Sequence, residues 1–240
     1  MTRPLSSLAP DIERRLAGWV KIQERHAPPA ELKLRPTITL SRQFGCEGFP
    51  LAERLKAGFE AATGEPWNIF DKSLIELVAK EEDIPLNLLK RLGDMSRAIE
   101  AFGLHGAEHV THDMAFDKVA RYMVQVGKLG SAILVGRGGA ILCRGLRNSF
   151  HFRLVASHGW RVATYARRTG LGLAEAEGQV KENEKLRERF VSQCLGENIA
   201  DPGFYDAVFN NERHSVEAIA HAILAYVQDA WEDKGLFRQR

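Results

Sequence analysis

The segment SRQFGCEGF, residues 41–49, contains the glycines that a loop needs to turn its backbone N–H groups toward an anion. An apolar run from Thr37 to Leu40 precedes it, and a helical pattern from Leu51 to about Thr63 follows it. Such a junction binds phosphate well, because the amino end of the helix carries partial positive charge. A turn with two glycines is also common without any ligand. The position between a strand and a helix favours a phosphate-binding loop.

Basic side chains that suit phosphate are concentrated later in the chain. They are Arg153, Arg161, Arg167, Arg168, Lys181, Lys185, Arg187 and Arg189. The planar fork of arginine matches phosphate oxygens, and a mobile pair of helices carrying such residues could close over a phosphoryl group. Acidic residues alternate with the basic ones, namely Glu175, Glu177, Glu182, Glu184 and Glu188. A solvated helix face explains the pattern equally well.

Two further polar residues follow predicted strands. Asp71 ends the run Trp67–Phe70, and Arg137 lies in the turn GRGG after the run Ser131–Val135. Ligand contacts gather at the carboxyl ends of the strands of an open parallel sheet, so both residues are candidates for substrate binding. Asp71 could equally cap the helix that follows it. Arg137 has no comparable structural explanation.

A third group consists of histidines at helical spacing. His105, His109 and His112 return to one face of a helix, beside Glu108. Two such imidazoles could bind a transition metal. We favour a polar interface or ordinary surface histidines, and assign no metal ligand.

These residues need elements that hold them, and the apolar pattern supplies five short strands alternating with helices. The strands are predicted at 37–40, 67–70, 131–135, 150–156 and 205–209. The alternation predicts an α/β fold with a five-stranded parallel sheet and helices on both faces. We expect an N-terminal helical extension and linker over residues 1–35. One main domain follows over 36–232, with a helical insertion at about 85–130.

Composition excludes several classes of protein. The formal net charge is only +2, so no global field draws the chain to nucleic acid or to an anionic membrane. No apolar run reaches the length of a membrane helix, and the start MTRPLSSLAP lacks the apolar core of a signal peptide. The three cysteines, Cys46, Cys143 and Cys194, are widely spaced, which argues against disulfides and thiolate zinc sites. We expect a cytoplasmic protein.

Taken in order, these segments resemble the cytidylate-kinase-like family of P-loop kinases over residues from about 37 to 225. The resemblance rests on ITLSRQFGCEG, NIFDKSLIELVAKE, ILVGRGGAIL, FRLVASHGWRVATYARR, VKENEKLRERF and DPGFYDAVFNNERHSVEAIAHAI. The ending is the closest match, because cytidylate kinases also finish with an apolar strand, a short polar loop, a Ser-x-Glu start and an amphipathic helix.

The resemblance implies roles for individual residues. It implies that ATP, with Mg²⁺, is bound by Ser41, Gln43, Phe44, Gly45, Cys46 and Gly48 of the phosphate loop, with Asn210 and Asn211 near the donor base. Arg137 would reach the acceptor nucleotide, and Asp71 would face the acceptor or the metal. Arg161, Arg167 and Arg187 would line the acceptor side and a lid over about 158–196.

The chain also departs from the P-loop pattern. Where GxxxxGK[ST] has a lysine and a hydroxyl, this sequence has Gly48 and Phe49, and Glu47 adds a negative charge. Gly138 replaces the acidic residue that follows Gly-Arg in typical cytidylate kinases. Arg42 is the nearest cation that could replace the lysine, which makes it a candidate catalytic residue beside Arg161 and Arg187.

Three functional hypotheses remain open at this point. The first is phosphoryl transfer from ATP to a nucleoside monophosphate such as CMP. The second is a catalytically silent nucleotide-binding or partner-binding module of the same fold, and the third is a kinase for another small molecule. The expected partners are small-molecule nucleotides, without nucleic acid or membrane, and the insertion makes a homodimer plausible.

Overall fold

The computed structural model describes residues 35–71 and 112–231. The strands are β1 (Thr37–Arg42), β2 (Asn68–Phe70), β3 (Ala132–Val135), β4 (Ser149–Val155) and β5 (Ala207–Asn210). The helices are α1 (Gly48–Thr63), α2 (His112–Leu129), α3 (Gly139–Cys143), α4 (His158–Thr169), α5 (Leu173–Leu195) and α6 (Val216–Trp231). A 3₁₀ turn, Pro202–Phe204, precedes β5. The predicted α/β fold is confirmed.

The five strands form one parallel sheet in the order β2-β3-β1-β4-β5. β1 lies in the centre, and its residues Thr37 to Ser41 are buried on both faces. Such a strand is typical of a parallel sheet that helices cover on both sides. Because all the strands point the same way, the segments after β1, β2, β3 and β4 meet at one edge of the sheet.

On one face of the sheet, α1 packs against α6. Leu51, Leu55 and Phe59 recur at helical spacing on α1 and are fully buried, as the sequence predicted. α6 contributes buried residues at the same kind of spacing, including Ile219 and Ile223. This layer joins the phosphate-loop helix firmly to the sheet.

The opposite face is covered by α2, α3 and the end of α5. Val119, Met123 and Val126 of α2 share one apolar cluster with Phe190 and Val191 of α5. α2 falls in the last part of the predicted insertion. Within the described residues, no helix is both long enough and apolar enough to cross a membrane.

Most predicted boundaries of strands and helices differ from the structure by one to three residues, and two of them are instructive. Trp67 precedes β2 instead of opening it, because its backbone N–H donates to Glu60 Oε1 at 3.0 Å, while pairing with β3 begins at Asn68. The last strand begins at Ala207 and not at Tyr205, because the preceding residues turn at Pro202–Phe204.

Several predictions lie outside the described residues. They concern the N-terminal extension and linker over 1–35, of which only residue 35 is described, the helix expected after Asp71, and the side chains of His105, His109 and His112. The limits of the domain, the insertion and the lid stay predictions.

Candidate functional site

The loop between β1 and α1 lies at the carboxyl edge of the sheet, as predicted. α1 begins at Gly48, and the side chain of Glu47 does not cap it. The first N–H groups of an α-helix have no partner within the helix, so this end of α1 offers donors and positive potential to an anion. Position and helix start both agree with a phosphate-binding loop.

Arg42 lies against this helix start. A Cβ placed on Gly48 would come within 3.1 Å of the Arg42 side chain, and one on Gly136, after β3, within 2.0 Å of its Nη1. The guanidinium therefore lies between the start of α1 and the end of β3. Burial, and then the charge of Arg137, lower the pKa of Arg42 to about 10, while Asp71 acts in the opposite direction. The charges of Arg137 and Asp71 thus lie close enough to Arg42 to influence it.

Arg187 reaches the same loop from α5. Its Nη1 donates a hydrogen bond of 2.8 Å to the carbonyl of Arg42, and its guanidinium lies 5.3 Å from the centroid of the Phe44 ring. Burial, and then the charge of Arg42, lower the pKa of Arg187 to about 9. A bound anion would offset the smaller part of this shift, which comes from the charge of Arg42.

Arg161 approaches from α4 and is buried. Its Nη1 donates to the carbonyl of Phe44 at 3.0 Å, and its Nε donates to the carbonyl of Ala156 at 3.3 Å. The backbone of Arg161 also lies directly over Gly45, which has a φ of 95°. Arg161 and Arg187, both predicted for the lid, therefore contact the segment from Arg42 to Gly45.

Arg153 was noted in the sequence as basic but was not assigned to the site. The structure buries it at the end of β4, where Nη1 donates to Ser41 Oγ at 3.1 Å, the Ile199 carbonyl at 2.6 Å and the Tyr205 hydroxyl at 3.2 Å. Within the described part of the chain its acceptors are hydroxyl and carbonyl oxygens, with no carboxylate among them. Its positive charge adds to the potential beneath the loop.

Glu47 contacts Asn211, the residue just after β5. Its backbone N–H donates to Asn211 Oδ1 at 2.8 Å, and its carboxylate accepts from Asn211 Nδ2 at 3.4 Å. Asn211 is buried just after β5 and so fastens the loop to the edge of the sheet. The negative charge that the sequence places in the loop is held on the side of β5.

The other predicted loop residues have structural contacts. Gln43 Oε1 accepts from the Ala156 N–H at 3.0 Å, which ties the loop to the end of β4. Burial raises the pKa of Cys46 to about 12, so its thiol is neutral. Asn210 accepts from the N–H groups of Glu212 and Arg213 and shapes the turn after β5.

Arg167 lies apart from these residues. It is exposed in the last turn of α4, and six positions along a helix place it on a different side from Arg161. Its predicted role at the acceptor site stays a prediction.

We expect Asn211→Ala to lower the free energy of unfolding by about 1–2 kcal/mol, because the Glu47 N–H would lose its acceptor. Chemical denaturation with urea measures this change. Asn198→Ala is the control, since that residue makes a comparable side-chain contact with the N–H of Ala200 in an exposed turn. Equal losses in the two variants would contradict a special role of Asn211 in holding the loop.

Comparisons with known proteins agree with this geometry. The model of the cytidylate kinase-like family matches residues 37–213. No curated protein matches the chain significantly. Among solved structures, an uncharacterized protein from Eubacterium ventriosum is similar with a TM-score of 0.61 and 15% identity, over 81% of this chain and 99% of that one.

Shikimate kinase from Bacteroides thetaiotaomicron has a TM-score of 0.45 and 10% identity, over 82% of this chain and 98% of that one. A protein of the PezAT toxin–antitoxin system of Streptococcus pneumoniae has a TM-score of 0.40 and 11% identity, over 94% and 96% of the two chains. The family match alone spans well over half of this chain. The chain therefore belongs to the cytidylate kinase-like family.

Proposed function

We propose that the protein transfers the γ-phosphoryl group of ATP to a nucleoside monophosphate such as CMP. The observation that carries this proposal is the convergence of arginines on the phosphate loop. Arg42, Arg153, Arg161 and Arg187 all contact residues of β1 or the loop, and the charge of Arg137 acts on Arg42. Such a concentration of buried positive charge favours a ligand that carries several phosphates.

The arrangement around β1 supports separate binding of the donor and the acceptor. The start of α1, with Arg42 against Gly48, would hold the donor phosphates. Arg137, which follows β3, would orient the acceptor, and Asp71, which follows β2, would face the acceptor or the metal. An oxygen of the acceptor phosphate attacks the γ-phosphorus, the bond to the bridging oxygen breaks, and ADP leaves. Positioning and charge neutralisation by the arginines carry the reaction, without a covalent intermediate on the protein.

The residues fit magnesium only in part. The described residues contain no group of three or more His, Cys, Asp or Glu side chains that could hold a metal ion. Mg²⁺ commonly uses one or two carboxylates and otherwise phosphate oxygens and water, so a single carboxylate is compatible with an ion that arrives with ATP. Asp71 would be that carboxylate. When bound, Mg²⁺ neutralises charge on the donor phosphates.

A catalytically silent nucleotide-binding module is the second candidate. It is favoured by Gly48 and Phe49, which supply neither the lysine nor the hydroxyl of a complete phosphate loop. The contacts of Arg161 and Arg187 with the loop argue against the silent module, because a binding module does not need lid arginines at that position. We therefore place the kinase first.

The test combines calorimetric titration with a coupled assay of ADP release. We expect saturable binding of ATP with Mg²⁺, and ADP release that depends on CMP or another nucleoside monophosphate. Binding without turnover across a panel of acceptors, including shikimate-like alcohols, would favour the silent module. Absence of ATP binding would reject both functions.

A further inference from the structure

Helices α4 and α5 are joined to the phosphate loop by apolar contacts. The Phe44 ring lies 5.0 Å from the ring of Tyr165, centroid to centroid. Phe44 also packs against a small apolar cluster shared by the two helices, which consists of Val162, Tyr165, Ala166, Ala176 and Val180. The two helices therefore pack directly on the loop.

A carboxylate accompanies these contacts. The backbone N–H of Phe44 donates to the carboxylate of Glu184 on α5. The same carboxylate lies 3.5 Å from Arg161 Nη1, and the Glu184 side chain is only 15% exposed. Glu184 thus bonds a loop N–H while it neutralises an arginine.

These two contacts are of the kind that a phosphate oxygen makes. Phosphate groups in such loops accept from backbone N–H groups and from arginine forks. Glu184 also acts on the rest of the arginine cluster. Against the larger effect of burial, its charge raises the pKa of both Arg42 and Arg187. The glutamate therefore offsets part of the positive charge that a ligand would otherwise meet.

We propose that Glu184 is an internal competitor of the ligand phosphate. Its carboxylate occupies an anion position on the phosphate loop, and it must leave Phe44 before a phosphate binds there. The contact holds α5 against the loop and restrains binding until a polyanion displaces it. This inference rests on the proposed function, because it concerns the same nucleotide phosphates.

The alternative is a permanent clasp, in which Glu184 shapes the loop and stays in place when ligand binds. The two accounts predict opposite signs for the change in affinity. Removing a competitor tightens binding, whereas removing a structural clasp loosens the loop and weakens binding.

The test is calorimetric titration of the full chain with pyrophosphate and with ATP plus Mg²⁺. Glu184→Gln removes the charge and keeps the size, so we expect the dissociation constant to fall about fivefold or more, in the range of ordinary coupling between two sites. Glu188→Gln is the matched control, because Glu188 is exposed on the same helix. We expect its affinity to stay within about twofold of that of the unmodified chain, since exposed charges interact weakly.

A second variant separates contact from charge. Glu184→Asp keeps the charge and withdraws the carboxylate by one methylene, so we expect it to bind pyrophosphate more tightly than the unmodified chain. Thermal melts followed by circular dichroism confirm that each variant is folded.

Weaker binding by Glu184→Gln, or the same gain in Glu188→Gln, would overturn the competition. An unchanged affinity of Glu184→Asp would also overturn it. The negative charge of residue 184 would then act on binding without the contact between its carboxylate and Phe44. If the unmodified chain and all the variants fail to bind both probes, the proposed function falls and the competition falls with it. If the unmodified chain binds and Glu184→Gln is no tighter, the competition alone is wrong.

Discussion

Replacing Arg42 with methionine is expected to reduce the rate of phosphoryl transfer by about three orders of magnitude, the scale of losing an essential arginine in such enzymes. Methionine keeps an unbranched apolar stem against Gly48 and Gly136 and removes the charge. The expected loss is large because no lysine is present at the position that normally holds the β- and γ-phosphates. Initial rates of ADP release, at saturating ATP and acceptor, measure it.

The control for this substitution is Arg54→Met. Arg54 lies on the exposed side of α1, where it pairs with Glu217 at 3.2 Å. Both substitutions remove one arginine from the same region, but only Arg42 touches the phosphate loop. A rate within about twofold of the unmodified chain for Arg42→Met would contradict its assignment as the replacement for the lysine, since a preorganised group at the reacting phosphates contributes about 10²–10³ in rate.

Replacing Gly45 with alanine is expected to lower the free energy of unfolding by about 1–3 kcal/mol more than the same replacement of an ordinary left-handed glycine. Gly45 has a φ of 95°, and its new Cβ would lie 2.7 Å from the carbonyl oxygen of Arg161 and 2.8 Å from the Arg161 Cβ. The obstacle is largely backbone, so α4 has to move away from the loop. Urea denaturation measures the loss.

Gly170→Ala is the matched control for the second substitution. Gly170 has a φ of 74° at the end of α4, and nothing lies within 4 Å of a Cβ placed there. It therefore carries the same kind of backbone strain without the collision. Similar losses for the two variants would mean that α4 is not packed against the loop.

The sequence predicted most of the fold because the strands and helices follow local patterns. β1 and α1 have buried residues at strand and helix spacing, and both were placed within three residues of their observed starts. Arg42, Arg161 and Arg187 were also named in advance, since basic residues near a phosphate loop suggest ligand contacts. Their chemical roles stay predictions.

The remaining features of the site depend on contacts between residues far apart in the chain. Glu184 was counted among the charges of a solvated helix, because nothing in its neighbours indicates that it meets Phe44, 140 positions earlier. The sequence likewise did not predict that Arg153 contacts Ser41 or that Asn211 contacts Glu47. A helical face predicts which side is polar, but it does not predict which loop that side will meet.

The central place of β1 in the sheet has a consequence for folding during translation. β1 and the loop are synthesised early. The hydrogen bond between Ser41 and Arg153 forms only after Arg153, 112 positions later in the chain, has been synthesised. Parallel pairing over such separations has a high contact order, and folding by this route is slow. Until β3 and β4 emerge, the nascent chain exposes the apolar strand β1, which gives chaperones a segment to protect during translation.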